Sequence, residues 1–299
     1  MATERAADFV PPATLLFVRT GTLLAQTLDL DREELTGDPI TVADAVAFDN
    51  GARAAAFSVS TSGVLAYRAD GASKRQLTWF DRSGKVLGTL GPPDQDHLLA
   101  PRVSPDGRRA AAFREIQENR DVWIFEAARL IRFTFDSARD QYPIWSPDGK
   151  TIVFDSDRNG HRNLYQKGAD NAGTEELLIE TDSDMGVNDF SPDGRYLIYV
   201  TPTNPDTGTD LWVQPLFGNE RKPWAFLQTR FNERQAQFSP GGEWIAYQSN
   251  ESGTQEIYIR PFQKSGGQWQ VSTSGGIQPR WRRDGNEVFY VSPEGKLMA

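Results

Sequence analysis

Cysteine is absent from this 299-residue sequence, and histidine occurs only twice, as His97 and His161. Without thiols the chain has no disulfide, no thiolate nucleophile and no thiolate metal ligand, and it is compatible with either a reducing or an oxidising compartment. Two histidines are too few for a three-histidine metal site or a metalloprotease helix. We therefore expect no cofactor, and we predict that both histidines are solvated loop residues.

Positive charge is also scarce, because 32 Lys and Arg stand against 41 Asp and Glu, for a formal net charge of −9. Such a surface does not attract phosphate backbones or anionic lipid, so we expect no nucleic-acid partner. No apolar run approaches the length of a signal sequence or a membrane span, and Leu15 to Val18 is a short one near the N-terminus. We expect a soluble, monomeric chain that makes no membrane contact itself, which is compatible with a signal or anchor outside these residues.

The motifs of common catalytic chemistries are missing as well. The sequence has no Gly-x-Ser-x-Gly elbow, no glycine-rich kinase loop and no His-Arg-Asp or Asp-Phe-Gly motif. The phrase Gly149-Lys-Thr151 ends like a phosphate-binding loop, but Ile144 stands where that loop needs its first glycine. We predict that the chain has no catalytic residues and no hydrolase, kinase or redox activity of its own.

What the sequence does contain is an internal repeat. Ser-Pro-Asp-Gly phrases end at glycines 107, 149 and 194, and variant phrases end at glycines 63, 242 and 285, with spacings of 42 to 48 residues. That spacing is typical of a four-stranded propeller blade. Proline presets φ, aspartate accepts hydrogen bonds from nearby backbone N–H groups, and glycine takes a positive φ. The phrase therefore predicts a tight turn between the first two strands of each blade.

The strands around these turns define the repeat units. An acidic or amide residue followed by an apolar and an aromatic residue begins each predicted third strand, at Asp121, Asn163, Asp210 and Glu256. Aromatic pairs at equivalent positions, such as Trp145 with Phe154, predict packing between neighbouring blades. We predict an all-β fold, a single β-propeller domain over residues 1–299 with about seven four-stranded blades. The units are 1–43, 44–91, 92–136, 137–181, 182–229, 230–274 and 275–299.

Ring closure and one blade depart from the pattern. The last unit has only three strand segments, so the alternatives are a three-stranded closing blade, a six-bladed closure, a strand lent by the N-terminus, or a truncated ring. Segment 107–113 carries one extra residue, and segment 125–131 lacks a glycine turn, which predicts that this blade is bulged.

The repeats resemble the WD40-like, or PD40, repeats of the TolB family of β-propellers over roughly residues 44 to 299. The phrases Leu15-Leu-Phe-Val-Arg19 and Leu77-Thr-Trp-Phe-Asp-Arg82 are similar to the propeller region of some bacterial transmembrane serine/threonine protein kinases. The resemblance implies a binding or sensor module in the C-terminal, extracytoplasmic part of such a kinase. The alternatives are a TolB-like periplasmic scaffold, and an accessory gating propeller of a prolyl-oligopeptidase-like peptidase.

Propellers place variable loops at the mouth of the central channel, on a rigid frame. We expect exposed charges there to bind a protein, a peptide or a small polar ligand, although ordinary solvated loops are the alternative. The candidate residues are Arg102, Asp140, Asp189, Glu233, Arg234 and Arg280. Asp155, Asp157 and Asn159 have the spacing of half a calcium loop, but a hairpin turn explains them better, and we expect no metal.

Overall fold

The computed structural model describes residues 4–19, 22–32, 34–43, 48–49, 54–55, 57–59, 65–67, 75–94, 97–117, 119–218 and 221–299. Every regular element in these ranges is a β-strand, and all strand pairs are antiparallel. In the same ranges there is no helix able to cross a membrane. Four-stranded sheets dominate, so the predicted all-β, propeller-like fold is confirmed. The chain divides into two compact units, Met1–Lys74 and Arg75–Ala299.

The first unit begins with a four-stranded sheet and continues with two strand pairs. The sheet consists of β1 (Glu4–Val10), β2 (Thr14–Arg19), β3 (Thr22–Asp29) and β4 (Glu34–Ala43), in chain order. The pairs are β5 (Phe48–Asp49) with β6 (Ala54–Ala55), and β7 (Phe57–Val59) with β8 (Leu65–Tyr67). Because β1 pairs with β2, the N-terminal segment belongs to the first sheet and is not lent to the last one. The turn predicted at Gly63 lies outside the described residues.

The second unit contains a hairpin and five larger sheets, each with its strands in chain order. The hairpin joins β9 (Arg75–Phe80) and β10 (Val86–Asp94). Four of these sheets have four strands. The first sheet consists of β11 (His97–Val103), β12 (Arg109–Ile116), β13 (Asn119–Glu126) and β14 (Arg129–Arg132), and the second of β15 (Asp140–Trp145), β16 (Thr151–Ser156), β17 (Asn163–Gly168) and β18 (Glu176–Ile179). The third sheet consists of β19 (Gly186–Phe190), β20 (Tyr196–Val200), β21 (Leu211–Pro215) and β22 (Trp224–Leu227), and the fourth of β23 (Arg234–Phe238), β24 (Trp244–Ser249), β25 (Glu256–Pro261) and β26 (Trp269–Gln270). The last sheet has three strands, β27 (Ile277–Trp281), β28 (Val288–Val291) and β29 (Leu297–Met298). The predicted third and fourth strands are therefore confirmed in these sheets.

The Ser-Pro-Asp-Gly phrase forms the predicted turn. Glycines 107, 149, 194, 242 and 285 have nearly equal φ values, from 70° to 77°. In the turn at Gly149, the Asp148 carboxylate accepts a hydrogen bond from the Ser146 hydroxyl at 2.6 Å and from the Lys150 N–H at 3.0 Å. The Ser146 hydroxyl in turn accepts the N–H of Thr151 at 3.0 Å. Serine and aspartate thus hold the two strands together.

Aromatic side chains and indole N–H groups join neighbouring sheets. Trp145 and Phe154 are buried in a cluster with Phe133 of the preceding sheet, as the repeated aromatic positions predict. The Trp145 Nε1 donates to the Arg102 carbonyl on β11, the first strand of the preceding sheet, at 2.9 Å, and the Trp281 Nε1 donates to the Gln237 carbonyl on β23 at 3.1 Å. These two bonds attach β15 to β11 and β27 to β23.

The blade expected to be irregular is regular where the sequence is longer. β12 pairs with β13 over eight residues without a register shift, so the extra residue of segment 107–113 does not bulge that pair. The missing glycine turn is replaced by Ala127, which has a φ of 48° between β13 and β14. A non-glycine residue thus takes a left-handed conformation that the sequence does not predict.

Candidate functional site

The first strand of each larger sheet in the second unit, which we call an inner strand, contains a one-residue β-bulge. In β11, β15, β23 and β27 the bulge coincides with a non-glycine residue at a φ of 50° to 58°, namely Ala100, Tyr142, Gln235 and Gln278. In β19 the register shift falls at Asn188. Positive φ at such residues is uncommon and often marks a functional site.

The residues that follow these bulges face a shared space. Arg102 on β11 and Arg280 on β27 belong to the first and last inner strands, yet their charges interact. The Arg102 Nη2 also lies 3.4 Å from the Asn188 carbonyl on β19, two sheets away. The inner strands therefore surround a common space within the second unit, which we call the central channel.

Asp189 on β19 provides the negative charge in this channel. Its Oδ2 accepts the backbone N–H of Phe238 on β23 at 2.9 Å. Burial raises the pKa of Asp189 to about 6, against the opposing effects of Arg102, the Phe238 N–H and Arg280. The neighbouring Asn188 accepts the N–H of Ala236 at 2.7 Å, which attaches β19 to β23 at a second point. Asp189 is therefore rigidly placed.

The guanidinium groups of Arg102 and Arg280 carry the opposite charge, and both donate to backbone carbonyl oxygens. In the described structure Arg102 bonds to the Asn188 carbonyl, and the Arg280 Nη1 donates to the Pro279 carbonyl at 2.7 Å. Burial lowers the pKa of Arg102, although Asp189 raises it. Burial and the Arg102 charge lower the pKa of Arg280 to about 9, with Asp189 opposing them. We call Arg102, Asp189 and Arg280 the channel cluster.

Comparisons with known proteins agree with this architecture. Residues 93–211 match the family described as PD40, TolB beta propeller domain. Segment 93–211 is therefore similar to the TolB beta propeller domain family. Putative TolB from Agrobacterium tumefaciens superposes with a TM-score of 0.59 at 18% identity, over 70% of this chain and 73% of that one. TolB from Acinetobacter baumannii gives a TM-score of 0.53 at 22% identity, over 81% of this chain and 58% of that one. At these identities the likeness concerns the fold.

A curated relative comes from Bacillus subtilis (strain 168). It is named uncharacterized peptidase YuxL, and it is 26% identical in an alignment of 199 residues that covers 52% of this chain. The match covers 30% of that protein's length, so this chain spans only part of that relative.

Two of the predicted site residues are not exposed, and the expectation that they are solvated rim charges is wrong. Asp140 is 0% exposed, and it accepts a hydrogen bond from the Arg158 Nη2 at 2.9 Å. Burial raises the pKa of Asp140 to about 6 in spite of that contact. Glu233 is also fully buried, where it accepts the Thr229 hydroxyl at 2.7 Å, and burial raises its pKa. Both carboxylates attach loops to strands of the second unit.

Arg234, the sixth candidate, is exposed at the start of β23, and its Nε lies 3.2 Å from the Thr209 hydroxyl. The six predicted residues thus divide into three that form the channel cluster, two buried carboxylates and one exposed arginine. The six candidates did not include Asn188 and Gln237 of the same loops, whose side chains bond across the inner strands. Their amide character and their place beside the repeated aromatic residue were the available signals.

Asp155 and Asp157, two of the residues with calcium-loop spacing, each have a protein partner. Asp155 is buried with Gln141 near its Oδ2, and burial raises its pKa well above the usual range. Asp157 instead accepts the N–H of Arg139, and Gly160 at a φ of 92° closes the predicted hairpin turn. No group of three or more histidine or acidic side chains able to hold a metal occurs in the described ranges.

One of the two histidines lies where the sequence predicts. His161 is exposed, with its Nδ1 3.8 Å from Asp184. The side chain of His97 lies outside the described residues.

A second concave feature was not expected from the sequence. A groove of about 800 Å³ lies between the sheets β15–β18 and β19–β22, near their Ser-Pro-Asp-Gly turns. Its lining includes Asp148, Asp193, Arg221 and Phe217, and the Phe217 ring is 67% exposed. The groove escaped sequence reasoning because it forms between repeat units.

Proposed function

We propose that the TolB-like propeller is a non-catalytic binding module whose partner, a protein, a peptide or a small polar ligand, engages the central channel. The supporting observation is the channel cluster, in which each of two guanidinium groups makes one hydrogen bond to the described residues, out of five N–H donors. A rigid frame of sheets that presents such polar groups is typical of a ligand site.

The setting of this module forms the finer part of the proposal. The strand phrases near residues 15–19 and 77–82 favour the extracytoplasmic sensor part of a bacterial serine/threonine protein kinase. The likeness to TolB structures favours a periplasmic scaffold. The match to part of a protein named as a peptidase favours a propeller that gates access to a separate hydrolase domain. A channel that admits peptides suits all three settings, so the channel is what we test.

The absence of cysteine allows a direct test of the binding face. One variant, Arg234→Cys, places a single cysteine at the exposed start of an inner strand. The matched variant, Lys222→Cys, places one just before β22, the fourth or outer strand of its sheet. Each cysteine is labelled with one bulky maleimide-polyethylene glycol. Peptides selected from an immobilised random library against the unmodified chain serve as probes. We expect the label at position 234 to abolish their binding and the label at position 222 to leave it unchanged.

The opposite pattern, with loss of binding only at position 222, would place the binding face on the outer strands and contradict the proposal. The same preparations are assayed for hydrolysis of a fluorogenic peptide, an ester and ATP. Turnover that survives purification controls would contradict the non-catalytic part.

A further inference from the structure

The channel cluster has one positive charge in excess. Arg102 and Arg280 face one carboxylate, Asp189, and this local surplus stands inside a chain of formal net charge −9. Both guanidinium groups are half-buried, a half-buried guanidinium without a counter-ion is costly, and each arginine disfavours the charged form of the other. Burial first, and then the Arg102 charge, lowers the pKa of Arg280.

The donors of the cluster are also incompletely used. The contact between the Arg102 Nη2 and the Asn188 carbonyl, at 3.4 Å, is longer than a normal N–H···O hydrogen bond. Arg280 donates one hydrogen bond, to the carbonyl of its neighbour Pro279, and within the described structure its other N–H groups have no hydrogen-bond acceptor. Asp189 is held by the Phe238 N–H rather than by either guanidinium. These donors suit an anion with two oxygen atoms.

We propose that Arg102 and Arg280 together bind the carboxylate group of a ligand in the central channel, an inference that rests on the proposed function and specifies its ligand chemistry. A guanidinium fork matches the two oxygens of a carboxylate, and a single negative charge neutralises the single excess positive charge. A peptide C-terminus, an acidic side chain and a small organic acid all present this group.

Asp189 competes with such a ligand for the two arginines. The charged groups that face it are Arg102 from β11 and Arg280 from β27, while β19 and β23 contribute the backbone N–H groups of Phe190 and Phe238. When Asp189 is protonated, both guanidinium charges are available to the ligand. Affinity for a carboxylate therefore falls as the pH rises through about 6, where Asp189 ionises.

The test compares trialanine with trialanine amide, which differ only in the terminal carboxylate, and adds acetate and inorganic phosphate as small anions. Binding to the full chain is measured by calorimetry and by NMR at millimolar ligand, between about pH 5 and about pH 8 so that the peptide carboxylate stays ionised. We expect trialanine to bind in preference to its amide, and acetate to compete with it.

Variants separate a binding role from a structural one. Arg280→Met is expected to weaken trialanine binding about tenfold or more, whereas the matched change at the exposed Arg283, Arg283→Met, leaves it unchanged. Arg280→Lys keeps the positive charge but loses the fork of N–H donors, and we expect an intermediate loss of trialanine affinity. It replaces Arg280→Met in the test if that variant does not fold. Asp189→Asn is expected to tighten binding and remove its pH dependence, a change opposite in sign to that of Arg280→Met.

Three results would overturn the inference: equal binding of the amide, no binding of any carboxylate at millimolar concentration, or stronger binding of phosphate than of acetate. The polyethylene glycol experiment at position 234 reports separately on the channel face. If that label blocks library peptides while the amide binds as well as trialanine, the channel remains the binding face and only the carboxylate assignment fails.

Discussion

At the scale of single residues, the repeated turns show which side chains determine the local fold. In three turns an aspartate accepts from the serine hydroxyl and from the N–H two residues beyond it, as Asp106, Asp148 and Asp193 do. The turn at Ser239 has Gly241 in that position, with nothing within 4 Å of where its Cβ would be. That turn lacks a stabilising contact that its sister turns have.

We predict that Gly241→Asp raises the free energy of unfolding by about 1 kcal/mol, because it restores the carboxylate contacts and restricts the unfolded chain. The matched change one residue later, Gly242→Ala, should lower stability by about 1 to 3 kcal/mol. Gly242 has a φ of 75°, and its Cβ would lie 3.4 Å from Pro192. Chemical denaturation of both variants measures the effects. A gain from Gly242→Ala would show that the turn is misassigned.

The buried Asp140 predicts a pH dependence of stability. Burial raises the pKa of Asp140 to about 6, so between about pH 4 and about pH 6 this carboxyl is more protonated in the folded chain than in the unfolded one. The contribution of Asp140 to stability is therefore present at low pH and is lost as the pH rises through about 6. We predict that Asp140→Asn removes roughly 1 to 3 kcal/mol of this fall, seen as a flatter profile of unfolding free energy against pH.

An exposed carboxylate provides the control of opposite sign for that measurement. The backbone N–H of Asn286 lowers the pKa of Asp284, so its contribution is present at neutral pH and is lost as the pH falls. Asp284→Asn should therefore change the acid side of the profile only. If Asp140→Asn and Asp284→Asn shifted the profile in the same way, burial of Asp140 would not be the cause.

The burial of Asp140 also shows where residue-level reasoning from sequence stops. Glycine turns and aromatic core positions were predictable because their chemistry is local or repeats along the chain. Asp140 and Glu233 look like loop charges, and their burial depends on partners from later hairpins, such as Arg158 and Ser249. The spacing of a repeat does not reveal such partners, since loops differ between units.

At the scale of elements, the acidic or amide residue that begins each third strand has a structural role. It accepts hydrogen bonds from the chain that leaves the fourth strand: Asn163 from the Thr181 N–H at 2.9 Å, Asp210 from the Gln228 amide at 3.0 Å, and Glu256 from the Gly275 N–H at 2.8 Å. The contact directs the chain toward the next inner strand. The sequence predicted the position of these residues, and the structure supplies the reason for it.

The inner-strand bulges are elements that the sequence could not predict. They use alanine, tyrosine and glutamine at positive φ, where glycine or asparagine would have been the recognisable signal. Side chains alternate between the two faces of a regular strand, and each bulge shifts that alternation by one residue. Without the bulges, Arg102 and Arg280 would therefore lie on the other face of their strands. The candidate residues were predictable as channel residues, but their assembly into a cluster was not.

The turn between β13 and β14 tests the cost of such a conformation. Ala127 is exposed at a φ of 48°, a region that alanine rarely adopts. We predict that Ala127→Gly stabilises the chain by up to about 1 kcal/mol, because relief of strain outweighs the added freedom of the unfolded state. Ala128→Gly, at the exposed neighbour without positive φ, should destabilise it slightly. Thermal and chemical melts compare the two, and equal losses would refute the assignment of strain to position 127.

At the scale of the whole molecule, the hydrophobic clusters of the second unit join neighbouring sheets. In the described structure their members run from Leu77 to Tyr290, and each cluster joins side chains of adjacent sheets. The first hairpin of the unit also reaches its last sheet, because Arg82 lies 2.9 Å from Glu287 and its guanidinium lies over the Phe289 ring. The unit thus has contacts between its first and last elements. Whether the chain is one domain over residues 1–299 remains a prediction.

This organisation leads to a prediction about truncation. A chain of residues 75–299 retains every cluster residue named above, whereas an isolated sheet has no such core, since its aromatic face packs against the next sheet. We expect the truncated chain to keep a β-type circular dichroism spectrum and a single cooperative thermal transition. The matched control, residues 137–299, also removes the sheet β11–β14 that contributes Phe133 to the core, and it should lose cooperativity. A non-cooperative transition for residues 75–299 would show that the second unit depends on the first.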